Sequence, residues 1–385
     1  MSLNPNPFTL EHTASDCAAR LGRLRTGHGE IATPIFMPVG TAASVKAIPP
    51  RDLVEDIRAQ IILANTYHLY LRPGTSLVAE AGGIHKFMGF PGPVLTDSGG
   101  FQVWSLKELR KLRPEGVEFR SHLDGSKHLF SPASVMQAQR EIGADIIMAF
   151  DECTPYPATE KEARFSLDLT RRWAAEAMQW LQEHPPVHPW SQYFFGIAQG
   201  SMYPELRREA IAHLVDLRVD GFALGGLSVG EPTQVMYDIA ESCTQWLPSD
   251  RARYVMGVGT PWNLLELIGR GIDMFDCVMP SRNARNGMLF TSQGVLHYKA
   301  ARHARQHDLP PDPECSCYTC RHFSRAYLRH LYQAGEILAM HLATLHNLHF
   351  YLNLMTQARE AIRAGHYLSW MRDQLPRLQR TVDAD

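Results

Sequence analysis

No stretch of this chain approaches the ~18 consecutive apolar residues that a membrane helix needs, and residues 1–23 lack an apolar core of signal-peptide length. These absences predict a soluble, cytoplasmic protein. Charge of one sign is also missing: 38 Lys and Arg oppose 40 Asp and Glu, a net charge of −2. That balance excludes a globally basic nucleic-acid binder, so any surface for a polyanion must be local. With 45% hydrophobic and 20% charged residues the chain is not disordered. There is no low-complexity segment and no repeat beyond strand–helix alternation. Cysteine is sparse and odd in number. Four of the seven are scattered (Cys17, Cys153, Cys243, Cys277) and three crowd at Cys315, Cys317 and Cys320, which fits a reducing compartment better than a disulfide framework.

What is present is alternation. A length of 385 residues exceeds the usual single domain unless the fold is a barrel. Eight short runs rich in β-branched and aromatic residues read as strands: 35–39, 61–64, 94–96, 146–150, 193–197, 222–224, 254–258 and 274–275. Helical segments between them predict an α/β fold, a (β/α)8 TIM barrel, in which functional side chains sit where strands end. Polar residues or glycines follow several runs: Asn65, Asp97, Asp151, Gln199, Gly225 and Gly226, Gly259 and Asp276. Ser131-Pro132 predicts a helix start and Gly143 its end. Residues 106–129 break the rhythm, with Asp124-Gly125 as a turn, and predict a hairpin inserted after the third strand. From about Gly287 the alternation stops, and 324–363 reads as helical. Residues 1–286 are therefore assigned to the barrel and its pocket, 287–366 to a zinc-binding subdomain appended to or embedded in it, and 367–385 to a C-terminal tail.

Three thiols within six residues, Cys315, Cys317 and Cys320, followed by His346, make up a closed tetrahedral shell suited to structural zinc, with no open position for catalysis. Spacing alone only favours His346 over His322, His330, His341 and His349. Asp97 heads a small-residue turn, Asp151 a proline-stiffened loop, and Asp276 follows the eighth run. Glycosyl transfer needs two carboxylates, one at the anomeric carbon and one to move a proton, and a third acid can read the N–H edge of a purine.

The segments NTYHLYLRPG from Asn65, LTDSGGFQ from Leu95, FDECTPYP from Phe150, Gln199-Gly200, GGLSVGE from Gly225, YVMGVG from Tyr254 and FDCVMPSR from Phe275, with the cysteine cluster, resemble the bacterial tRNA-guanine transglycosylases (queuine tRNA-ribosyltransferases) from about Gly27 to about Tyr351. The resemblance implies that Asp276 is a nucleophile toward ribose carbon-1 and Asp97 the general acid/base. Asp151, Gln199 and the backbone of Gly226 and Leu227 would bind the purine edge, with Phe101 and Met256 against its faces. It implies zinc on Cys315, Cys317, Cys320 and His346. Cys153 follows the acid pair in the bacterial manner, which favours 7-aminomethyl-7-deazaguanine over queuine as incoming deazaguanine base. The implied RNA partners are tRNAs with GUN anticodons (Asp, Asn, His, Tyr), touched by Arg282 and Arg285. A homodimer through Phe87, Phe323, Tyr327 and His330 is implied as well. Ser281, Asn283, Ala284 and Ala198 depart from the family pattern, which bears on fine substrate preference. Between Arg282 and Arg329 eight Lys/Arg stand against three acids, a local basic patch suited to a phosphate backbone.

Overall fold

The computed structural model describes residues 5–100, 102 and 110–382. Eight short parallel strands form one sheet: β1 (Ile35–Met37), β2 (Ile62–Ala64), β3 (Val94–Thr96), β4 (Ile146–Met148), β5 (Tyr193–Ala198), β6 (Gly221–Leu224), β7 (Ala252–Val255) and β8 (Met274–Asp276). Each pairs with its sequence neighbour, β8 returns to β1, and a parallel bridge from Val39 to Leu63 joins β1 to β2 and completes the ring. All eight predicted runs are strands. They are mostly apolar because both faces are covered, by side-chain layers inside and helices outside.

The helix Pro132–Ile142 shows how local sequence sets the element ends. The hydroxyl of Ser131 accepts from the Ser134 N–H, Pro132 occupies the first turn, and Gly143 ends the helix in the left-handed region at φ 77°. The insertion after β3 holds three antiparallel strands, Arg110–Arg113, Gly116–Arg120 and Lys127–Phe130, one more than the expected hairpin. Its aromatic side chains Phe119 and Phe130 pack on Tyr67, beside the C-terminal ends of β2 and β3.

One feature was not anticipated. An antiparallel meander, Phe8–Thr13, Arg20–Thr26 and Gly29–Thr33, closes the opposite mouth of the barrel. It does so through residues that directly precede barrel strands: Arg20 pairs with Asp273 at 2.7 Å, and His28 bonds Asp145 at 2.8 Å.

After β8 the chain runs through a short helix, Met279–Arg285, and a hairpin, Leu289–Thr291 with Gly294–Leu296, to the cysteine loop. The long helix Ile337–Arg363 then packs against the barrel wall. Its Tyr351 ring meets Phe36 of β1, and its hydroxyl donates to the Gly259 carbonyl. That helix also carries His346, so Cys317 and Cys320 share one continuous apolar core with the barrel. Residues 367–378 form a helix whose buried Tyr367 donates to the Leu265 carbonyl at 2.7 Å.

Candidate active site

The strand ends predicted to converge do so at the C-terminal face. Asp97, directly after β3, is buried and accepts four hydrogen bonds: from Asn65 Nδ2, from the Thr66 N–H at 2.9 Å, from the Gly99 N–H at 3.2 Å and from Gln102 Nε2 at 2.9 Å. Burial outweighs these bonds and pushes its carboxyl up to about 6. A group near that value changes protonation state readily at neutral pH.

Asp276, the last residue of β8, is half-buried. One carboxylate oxygen accepts from the Tyr254 hydroxyl and from the Gly257 N–H at 2.9 Å. Burial raises its pKa, and both bonds work against that rise by favouring the anion. The bonds also aim the carboxylate. Tyr254 was not singled out by the sequence. Its signal is periodicity, since alternation along β7 puts Tyr254 and Met256 on one face of the strand.

Asp151, beyond β4, accepts from Ser98 Oγ at 2.9 Å and Gln199 Nε2 at 2.8 Å, and burial raises its pKa. Gln199 is fully buried, and its Oε1 has no hydrogen-bond partner. Glycines make room for this pair. A Cβ at Gly100 would stand 2.9 Å from Asp151 Oδ1, and Cβ atoms at Gly225 and Gly226 would each stand 2.6 Å from the Gln199 amide. A carboxylate and an amide are thus held side by side, one acceptor of hydrogen bonds and one offering both polarities, as recognition of a purine edge requires. Leu227 is buried, Met256 half-buried and Cys153 buried with its thiol pushed up by burial. Phe101 lies outside the described residues. Asp97, Asp151 and Asp276 form no ion pair among the described residues. Their surroundings are hydrogen-bond donors without formal charge.

Arg282 is exposed and Arg285 half-buried, both in the last turn of the helix that begins three residues after Asp276. Arg285 Nη1 is buried without a partner, and burial with the nearby Arg282 lowers its pKa. Arg325, counted in the basic patch, is instead buried, with its guanidinium on the Pro310 and Pro311 carbonyls. Phe323 and Tyr327 stack with centroids 5.5 Å apart, His330 lies 6.3 Å from Tyr327, and Phe87 and Tyr327 are exposed.

The cysteine loop meets the long helix as its spacing suggested. One atom from each of Cys315, Cys317, Cys320 and His346 lies within 4.8 Å of the others, compatible with Zn–S and Zn–N bonds of about 2.3 and 2.0–2.1 Å around one centre. His346 Nδ1 stands 3.2 Å from Cys320 Sγ, and its Nε2 meets the Phe290 carbonyl at 2.9 Å. That second bond fixes the tautomer that leaves Nδ1 free for a metal. His349 Nδ1 lies 3.6 Å from Cys315 Sγ, outside the four-residue group.

The family model for queuine tRNA-ribosyltransferase matches residues 15–380. A queuine tRNA-ribosyltransferase of Solidesulfovibrio magneticus is 54% identical over 366 residues, 95% of this chain and 96% of the relative. Those of Desulforudis audaxviator (55% over 363 residues, 94% and 95%) and of a Thermoanaerobacter species (53% over 352 residues, 91% and 92%) are similar to the same extent. The matches cover nearly all of this chain and of its relatives, and the chain belongs to the queuine tRNA-ribosyltransferase family.

Proposed function

We propose that this enzyme exchanges the wobble guanine of tRNAs with GUN anticodons for 7-aminomethyl-7-deazaguanine, in two displacements through a covalent enzyme–ribose ester. The carrying observation is the pair Asp97 and Asp276, neither with a cationic partner among the described residues, at strand ends on the same face of the barrel as the Asp151–Gln199 pair. In the first displacement the Asp276 carboxylate attacks ribose carbon-1, the bond to guanine breaks with its electrons on the base, and protonated Asp97 gives that base its proton. In the second, ionised Asp97 takes the ring N–H proton of the incoming base, whose nitrogen attacks carbon-1 and returns Asp276 to the carboxylate. Two inversions retain configuration. The Tyr254 hydroxyl and Gly257 N–H stabilise the anion before attack and as leaving group. Asp151, the Gln199 amide and the backbone at Gly226 and Leu227 read the purine edge, with Phe101 and Met256 against its faces. The family resemblance at Cys153, which follows the acid pair in the bacterial manner, supports the aminomethyl precursor over queuine.

Cys315, Cys317, Cys320 and His346 would hold one zinc ion, whose closed shell supplies structure and no chemistry. Its position supports this: the loop joins the helix that also packs on β1. Arg282 and Arg285, near the nucleophile, would take anticodon-loop phosphates or bases, with the target base unstacked into the pocket. Exposed Phe87 and Tyr327, with Phe323 and His330, suit an aromatic homodimer contact. Sedimentation showing only monomer at micromolar concentration would contradict that contact.

Incorporation of labelled guanine into unmodified tRNA-Tyr, with a tRNA lacking wobble guanine as control, tests the function. Label in the first alone is expected. Label in neither, from zinc-loaded protein that binds tRNA, contradicts base exchange.

A further inference from the structure

Arg207, in the helix Pro204–Leu217, is fully buried, yet among the described residues no carboxylate forms an ion pair with it. Its guanidinium instead donates to four carbonyls: Ala198 at 2.6 Å, Gly225 at 2.7 Å, Ser201 at 2.9 Å and, more weakly, Gly226 at 3.5 Å. Ala198 ends β5 and Gly225 follows β6, whose last paired residues are Ala198 and Leu224. The guanidinium therefore bridges the two strands just beyond the point where their ladder stops. A buried cation is costly to desolvate, and carbonyl dipoles offset only part of that cost. An apolar side chain would fill the same space more cheaply, so the charge calls for a role.

That role follows from peptide geometry. In a planar trans peptide the C=O of one residue and the N–H of the next point in opposite directions. Drawing the Gly225 and Gly226 carbonyls toward Arg207 turns the N–H groups of Gly226 and Leu227 away from it. The Gln199 amide, which reaches Asp151, lies close to the same two glycines, since a Cβ at either would stand 2.6 Å from it. We propose that Arg207 is a positioning residue for base recognition: by holding the Gly225 and Gly226 carbonyls from behind, it presents the next two peptide N–H groups to the carbonyl edge of the purine. Lys cannot replace it fully, because a single ammonium lacks the planar fork that reaches carbonyls of two loops at once. Arg207 touches neither ribose nor phosphate, so its loss falls on the base and not on the tRNA.

The inference rests on the base-exchange reading, and one experiment separates the two. Exchange of labelled guanine is measured with zinc-loaded wild-type, Arg207→Met and Arg207→Lys proteins, varying guanine and tRNA independently. Expected is a guanine KM raised about tenfold or more in Arg207→Met, with the tRNA KM within about twofold of wild type and the Lys variant in between. A guanine KM that does not move, or guanine and tRNA KM values that rise together, overturns the positioning role. Absence of exchange in the wild type overturns the base-exchange reading and this inference with it. If Arg207→Met does not fold, Arg207→Lys carries the same comparison, and a wild-type guanine KM there overturns the proposal.

Discussion

The two mouths of the barrel each carry three aspartates at strand ends, and they differ in what surrounds them. At the N-terminal mouth Asp145, Asp220 and Asp273 each precede a strand and cap a backbone N–H of a neighbouring strand, those of Val94, Phe194 and Arg253. Two of them also meet cationic or titratable side chains of other elements, Asp273 the Arg20 guanidinium and Asp145 the imidazoles of His28 and His85. At the C-terminal mouth Asp97 and Asp151 follow strands, Asp276 ends one, and all three meet hydroxyls, amides and N–H groups, with no cation among the described residues. In the first set Asp145 and Asp273 tie the meander to the barrel. The second meets no cation; burial pushes up its pKa values, as it does that of Asp273, so the partners and not the shifts mark the difference. Residue type is the same at both mouths, and it is the surroundings that separate an acid held in a structural bond from one left for the proposed chemistry.

The sharpest break of this comparison is at Asp276. Asp276→Ala is expected to lower exchange by about a thousandfold or more while far-UV circular dichroism and zinc content hold. Appreciable exchange by that variant would remove the nucleophile from Asp276.

Next is Asp97, where pH dissects the role. With its pKa at about 6, the protonated form needed to release guanine is lost as pH rises through that value, while the ionised form needed to capture the incoming base is gained. Single-turnover guanine release should fall above pH 6 and base capture should rise. In Asp97→Asn both steps should slow by about a hundredfold or more and lose that dependence. A pH profile unchanged by the substitution contradicts the assignment.

At the other mouth the cost should appear in stability alone. Arg20→Met leaves Asp273 buried without its guanidinium, an expected loss of about 3–5 kcal/mol, read by urea unfolding, with kcat per folded molecule unchanged. A loss of kcat without a loss of stability would erase the contrast between the mouths.

The smallest effect concerns His28, His85 and Asp145. These lie close enough for a shared metal ion, but the imidazoles stack 3.5 Å apart at 11°, so an ion in the plane of one ring lies out of the plane of the other. A carboxylate shared by two rings describes them better. Burial would raise the Asp145 pKa, but hydrogen bonds from His28 and His85 and from the Val94 N–H hold it at about 2. Its contribution to stability is complete above the unfolded value of about 3.9 and is lost as pH falls toward 2. Burial lowers the pKa of His85, so the fold also loses stability as pH falls below about 6.5. Asp145→Asn should flatten the loss between pH 4 and pH 2 in thermal melts, and an unchanged slope there would contradict this.

The barrel was legible because most strands are short apolar runs, several with a polar or glycine residue directly after them, and the candidate site face followed from those residues. The meander was not legible. Its strand RLGRLRT alternates charge with apolar residues like any surface segment, and its place is set by Arg20 meeting Asp273, 253 residues away. Arg207 was hidden for another reason: it stands beside Arg208 in PELRREAIAHLVDL, and nothing local tells which arginine turns inward. The metal group was legible as to its cysteines, while the histidine needed the turn of the long helix that puts His346 among them and His349 to one side.

The central claim is that Asp276, aimed by Tyr254 and Gly257, forms the ester to ribose. The most direct measurement is mass analysis of peptides from enzyme quenched in acid during reaction with unmodified tRNA. The account predicts a ribose-linked adduct on the peptide carrying Asp276, absent in Asp276→Ala and formed more slowly in Tyr254→Phe. An adduct on any other residue, or exchange that proceeds with no adduct at all, would contradict it.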